Sequence, residues 1–447
     1  MKRFLQVLRQ NPVAAALATV FLALGVFIAW SLFAPRSDWR LKAVRKSGYP
    51  LTAADLEAWY PPVPDAENAA LIYTQAFAQP SFSNIVDWQE RSLPKDWLPA
   101  RGQVLNEEIK GEMKDLLATN KIALSLLYSA RSRARSHYSV QWNLGLDMPL
   151  PHLPQVKGAV ALLCGEALLQ CADGNTEKAV QALLAAGHAA DSLSAEPTLA
   201  SHFTRVSCWS RIVVSMERII NSLPLTEDQL ASLQKMVGQA ERPQAFARAL
   251  GGQRATGLML FTDPEALTRM FGGRRFQAGV FTGLRRAAGL HEKDKAFFLD
   301  AMATNISIAE MSWPERVQLG RQAVKLNPGP TNRFLIFSSI TLPGFDRNLV
   351  RDADHAARIR AAQAGLAVQR FRLAHTNALP ASLRELEPAW LKSVPADPYD
   401  GQPLRFKRHG SGFVIYSIGS DGHDDGGAER DSVKPNTPYD IPFIVDH

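Results

Sequence analysis

Residues 12–34 read PVAAALATVFLALGVFIAWSLFA, and no charged side chain interrupts the chain between Arg9 and Arg36. At ~1.5 Å per residue a helix of this length spans about 35 Å, more than the ~30 Å hydrocarbon layer of a bilayer. A helix that is apolar on every side for that distance fits a membrane span better than a soluble core, and everything after it has to be read as tethered. Lys2, Arg3 and Arg9 ahead of it would also suit the charged start of a secretory signal peptide. Leu32-Phe33-Ala34 lacks the small residue expected two before a cleavage point, and Pro35 follows directly, so an uncleaved anchor is expected.

Orientation does not follow from charge alone, because Arg36, Arg40, Lys42, Arg45 and Lys46 rival the positive charge before the span. A short basic tail stays inside while long domains translocate largely regardless of charge. The expected layout is therefore a cytoplasmic tail (1–11), a transmembrane anchor (12–34) and a large extracytoplasmic part on a bacterial inner membrane. The basic run after the span would lie on lipid headgroups or form a solvated linker.

The 447 residues suffice for two or three domains, and a net charge of +7 leaves room for an anionic partner. Cys164, Cys171 and Cys208 show no metal-ligand spacing. Cys164 and Cys171 lie on one helical face, too far apart to bridge. Cys208 could pair with either in an oxidising compartment, although buried free thiols are the plainer expectation.

Thr52 and Asp55 make a capping box for a short helix that Trp59-Tyr60-Pro61-Pro62 ends, and residues 35–102 read as a juxtamembrane linker with docking helices. From 103 to 347 the pattern is helical. Ile109, Met113, Leu116, Leu117, Ile122, Leu124 and Leu127 repeat at helical spacing over 107–135, and residues 162–193 form a hairpin around Asp173-Gly174-Asn175. That hairpin resembles one tetratricopeptide-type unit, without a clean recurrence downstream. Residues 269–295 interleave Arg269, Arg274, Arg275, Arg285, Arg286, Lys293 and Lys295 with Phe271, Phe276 and Phe281. Such a stretch fits an amphipathic face on lipid or an arginine-rich face paired with local acids, and no nucleic-acid partner is expected. No GxSxG, HExxH, P-loop or dinucleotide fingerprint occurs. His188 with Asp191 and Ser232 with Lys235 have spacings that catalysis can use and that chance also supplies.

The carboxy-terminal block (348–447) opens with a helix over 352–377 and continues through Leu379-Pro380, a short helix at 382–386, Asp397-Pro398-Tyr399-Asp400-Gly401, a hairpin around Gly410-Ser411-Gly412, and Tyr416-Ser417-Ile418-Gly419-Ser420-Asp421-Gly422 with Gly426-Gly427 behind it. In that order these residues resemble the headgroup of the major pseudopilins of type II secretion. The resemblance covers about the last fifth of the chain and implies a calcium ion in the loop, with Asp421 matching the loop aspartate and Asp431 standing where a later acidic ligand is expected. Asp424 and Asp425 are further carboxylates close by, and glycines that turn carbonyls inward suit a hard cation. The pseudopilin processing signal is absent from the membrane segment, so assembly into a pseudopilus is not implied.

The expected fold is mainly α: an N-terminal transmembrane helix, a helical middle domain with hairpin-repeat character, and a small α+β C-terminal domain with a short antiparallel sheet. The expected role is binding or scaffolding at the lipid bilayer with a protein partner in the envelope. The alternative is a membrane-anchored hydrolase with its site in the helical domain.

Overall fold

The computed structural model describes residues 38–83, 98–103, 105–270, 272–326, 334–429 and 439–447, with Ala16 and Ile85. The expected anchor apart from Ala16, most of the Trp- and Pro-rich stretch at 84–97, and Asp431 lie outside the described residues. Among the described residues no helix is long and apolar enough to cross a membrane.

The chain is mainly helical. It begins with α1 (Asp38–Lys46), α2 (Ala53–Trp59) and α3 (Ala69–Phe77). The capping box forms as expected, Thr52 Oγ1 accepting from Asp55 N and Asp55 accepting from Thr52 N. The expected run over 107–135 divides at Asn120 into α4 (Glu107–Thr119) and α5 (Lys121–Ser129). The break is a backbone one: Asn120 takes φ −105° and ψ 23°, outside the helical range, while its N–H and its side-chain amide both donate to the Leu116 carbonyl (3.1 and 3.0 Å).

The hairpin is α6 (His152–Ala172) and α7 (Thr176–Asp191), joined where Gly174 takes φ 77°, a conformation that favours glycine. Then come α8 (Leu199–Ile220), α9 (Glu227–Gly238), α10 (Ala245–Thr262), α11 (Pro264–Met270), α12 (Arg275–Ala287), α13 (Leu290–Glu310), α14 (Glu315–Leu326), α15 (Ile336–Thr341) and the long α16 (Phe345–Ala374). Helix α16 starts seven residues before the expected Asp352, with Phe345 and Leu349 already buried in its first turns.

The sheet has three antiparallel strands in the order β1 (Arg405–His409), β2 (Gly412–Ser417), β3 (Ile441–Val445). Strand β2 is central and buried along its length. The sequence predicts only the β1–β2 hairpin, because β3 is short and carries Pro442, which opposes Tyr416 at the sheet's edge. That edge is not left bare. Asn221 on α8 donates to the Ile444 carbonyl (2.8 Å) and accepts from Asp446 N (2.8 Å), while Ile444 N donates to Glu217 (3.1 Å). Behind the sheet, Gly365 of α16 admits Phe443 so closely that an added Cβ would sit 2.3 Å from its ring. One apolar cluster runs from Ala69 on α3 through α6, α7, α8, α9 and α16 to Val445 on β3.

Candidate functional site

The chain between α5 and α6, the end of α7, the end of α9 and the elbow after α2 enclose a cleft of about 850 Å³, within the range of small-ligand sites. Arg131, Arg135, Lys235, Arg242 and Arg248 line it against one carboxylate, Asp191. Helix α7 places His188 and Asp191 one turn apart, but they do not bond to each other. The Tyr73 hydroxyl donates to Nδ1 of His188 (2.6 Å), and the other ring nitrogen donates to the Arg133 carbonyl (2.9 Å). Burial lowers the His188 pKa, so the ring is a neutral strut with its lone pair already taken. Asp191 accepts from Arg205 Nε (2.8 Å) and Trp209 Nε1 (2.9 Å), with Arg242 at 3.5 Å, and so ties α7 to α8.

The cations differ in how much of them is already committed. Arg248 donates to the Trp59 carbonyl (2.6 Å) and stacks 4.1 Å over the Trp59 ring, and Arg131 donates to Gln181 (2.8 Å). Lys235 and Arg242 stand exposed on the opposite wall. Ser232, three residues before Lys235, also lines the cleft, but its hydroxyl donates to the Asp228 carbonyl (2.7 Å), as an ordinary helical serine does. The arrangement can hold and orient negative charge. The sequence patterns single out His188, Asp191, Ser232 and Lys235, but Arg131 with Arg135 and Arg242 with Arg248 come from two stretches more than 100 residues apart, and no local spacing unites them.

In the C-terminal loop, Asp421 accepts from His423 N (3.1 Å), which closes an exposed turn. Asp424 accepts from the Tyr416 hydroxyl (3.0 Å) and Gly426 N (3.0 Å). Asp425 has one buried carboxylate oxygen without a hydrogen-bond partner. Asp440, which the sequence reading passes over, is 1% exposed, accepts from Gly427 N (2.7 Å), and leaves its other oxygen buried and unpartnered. Burial, with Asp425 and Asp424 close by, raises its pKa. Among the described residues no group of three or more His, Cys, Asp or Glu is placed to hold a metal. Asp425 and Asp440 thus each keep one buried carboxylate oxygen that no described donor satisfies.

The turn at Asp397 carries a different role. Asp397 is fully buried and accepts from Tyr399 N (2.9 Å), Ser417 Oγ (2.8 Å), Ile418 N (2.9 Å) and Arg405 (2.8 Å). It clamps the turn to the end of β2 and is not available to a cation. The three cysteines are free and buried, and burial pushes the Cys164 and Cys171 thiols up to about 11 and Cys208 to about 12.

No protein-family model, no curated protein and no solved structure matches this chain.

Proposed function

We propose that the chain is a single-pass, membrane-anchored envelope protein, its large domain extracytoplasmic, that binds an anionic group in the cleft between α7 and α9. The observation that carries the reading is the imbalance of the cleft: five cationic side chains line it against one carboxylate, Asp191, which Arg205, Trp209 and Arg242 already hold, and of the other four only Arg135 has a carboxylate partner among the described residues, Glu67 (3.4 Å). The uncharged run at 12–34 supports the anchor, and the net charge of +7 accords with an anionic partner. A carboxylate or phosphate on a small molecule, or an acidic segment of an envelope protein, has the chemistry this cleft recognises. The hydrolase alternative has less support, because His188 has no free lone pair to act as a base and Ser232 is bonded to its own helix.

In the carboxy-terminal block, the order of turn, hairpin and glycine-rich loop supports a headgroup like that of the pseudopilins. The orphaned oxygens of Asp425 and Asp440 support calcium as the loop's ligand.

The cleft reading is tested by acylating exposed lysines of the full chain with and without sodium tripolyphosphate at constant ionic strength. Occupancy should slow the modification of Lys235 selectively, with Lys178 and Lys407 unaffected. Equal rates at all three would contradict it.

A further inference from the structure

Helix α12 (Arg275–Ala287) has two unlike sides. Ala278, Thr282 and Arg285 are buried, with Arg285 donating to Asp294 of α13 (2.8 Å). On the opposite side Phe276, Val280 and Leu284 follow one another at four-residue spacing and are 83%, 47% and 68% exposed. Exposed Arg274, Arg275 and Arg286 flank that stripe, Arg275 pairing at the surface with Glu265 (3.0 Å). Nearby, Ile340 on α15 and Phe334, whose carbonyl accepts from Arg285, are half exposed as well. A row of large apolar side chains this open is costly in water and uncommon on a surface with no partner.

The position of α12 says what covers it. Helix α13 is its floor, and α13 also carries α1, through the pairing of Arg40 with Asp300 (2.6 Å). Asp294 and Asp300 are six residues apart, about 9 Å along the helix axis. Helix α1 starts four residues after the uncharged run ends at Ala34, a connection that spans at most about 14 Å. Trp39, at the start of α1, is 61% exposed and stacked by Arg40. A bilayer that holds residues 12–34 therefore lies within reach of α12, and the arginine flanks complement anionic headgroups.

We infer that α12 is a second membrane contact: its Phe276–Val280–Leu284 stripe enters the acyl boundary of an anionic bilayer, while Arg274, Arg275 and Arg286 engage lipid phosphates. The inference rests on the anchor reading above. Burying the stripe supplies the apolar term, the arginines supply the electrostatic one, and together they hold the domain at a fixed tilt against the surface.

The full chain carrying Phe276→Cys, labelled with an environment-sensitive fluorophore and reconstituted into phosphatidylglycerol-rich vesicles, tests this. The native cysteines are buried, so the label is selective. A lipid-borne nitroxide should remove most of the fluorescence and aqueous iodide little of it. Adding Arg274→Glu and Arg275→Glu should reverse that order, and a control label at His409→Cys should answer only to iodide. If the chain resists carbonate extraction but the Phe276→Cys label answers only to iodide, the anchor stands and the α12 contact is overturned. Protection from both quenchers would mean that protein, including a second copy of the chain, covers the stripe, and would also overturn it. Release of the chain by carbonate would remove the anchor and the inference with it.

Discussion

Asp397 commits both carboxylate oxygens to the turn that follows it and to the end of β2, with Arg405 as its charge partner. Deleting one member of a buried, fully bonded ion pair costs roughly 3–5 kcal/mol. Asp397→Ala should therefore lower the urea midpoint of the full chain by that equivalent; a change under about 1 kcal/mol would remove Asp397 from its role as a clamp. His355 makes a second prediction at this scale. Burial, with Arg205 close by, pushes its pKa from 6.5 down to about 3, and burial lowers His188 in the same direction. Below pH 6.5 the unfolded chain takes up a proton at each site that the folded chain refuses. Stability should therefore fall with acid from about pH 6.5 down to about 3 through His355, by about 1.4 kcal/mol per pH unit, and His188 adds to the fall below about pH 6.5. His355→Gln should flatten that slope, as read from urea midpoints between pH 7 and 4, and an unchanged slope would contradict the assignment. The sequence shows Asp397 as part of a turn motif, but its partners at 405, 417 and 418 lie across a hairpin, and only the strand register brings them together.

At the scale of elements, short-range chemistry was readable and long-range pairing was not. The Thr52 capping box, the α6–α7 hairpin and the β1–β2 hairpin all depend on residues a few positions apart, and each forms where its residues predict. The break at Asn120 and the strand at 441–445 depend on competition. An asparagine leaves the helical conformation and caps the preceding turn with its side chain in the first, and a proline-bearing segment becomes a strand because Glu217 and Asn221 receive its edge in the second. The acidic loop belongs to this scale too. If calcium joins Asp425 and Asp440, saturating calcium should raise the melting temperature of the full chain. A hundredfold excess over the dissociation constant contributes about 2.7 kcal/mol. Asp440→Asn should abolish the gain, and the gain should shrink in acid as the raised pKa of Asp440 protonates it. No response to calcium above that of magnesium would overturn the site.

The cleft and the apolar stripe are built from separate sets of helices. The cleft is assembled by α7, α9 and the segments around 60 and 131–136, and α12 and α1 both pair with α13, through Arg285–Asp294 and Arg40–Asp300. No stretch of sequence could have shown the cleft, since its cations are spread from Arg131 to Arg248, and each alone looks like an ordinary surface residue. The apolar run at 12–34 and the arginine-rich stretch around α12 are each local patterns, which is why the sequence alone draws attention to them. The central claim is that the cleft binds negative charge, and calorimetric titration of the full chain in neutral detergent with sodium tripolyphosphate tests it most directly. Saturable one-to-one binding should appear, weakened at least roughly 100-fold in Lys235→Gln/Arg242→Gln, as expected for losing two charge-assisted contacts of about 1.5–3 kcal/mol each. An absence of binding heat, or equal affinity in the double variant, would contradict the account.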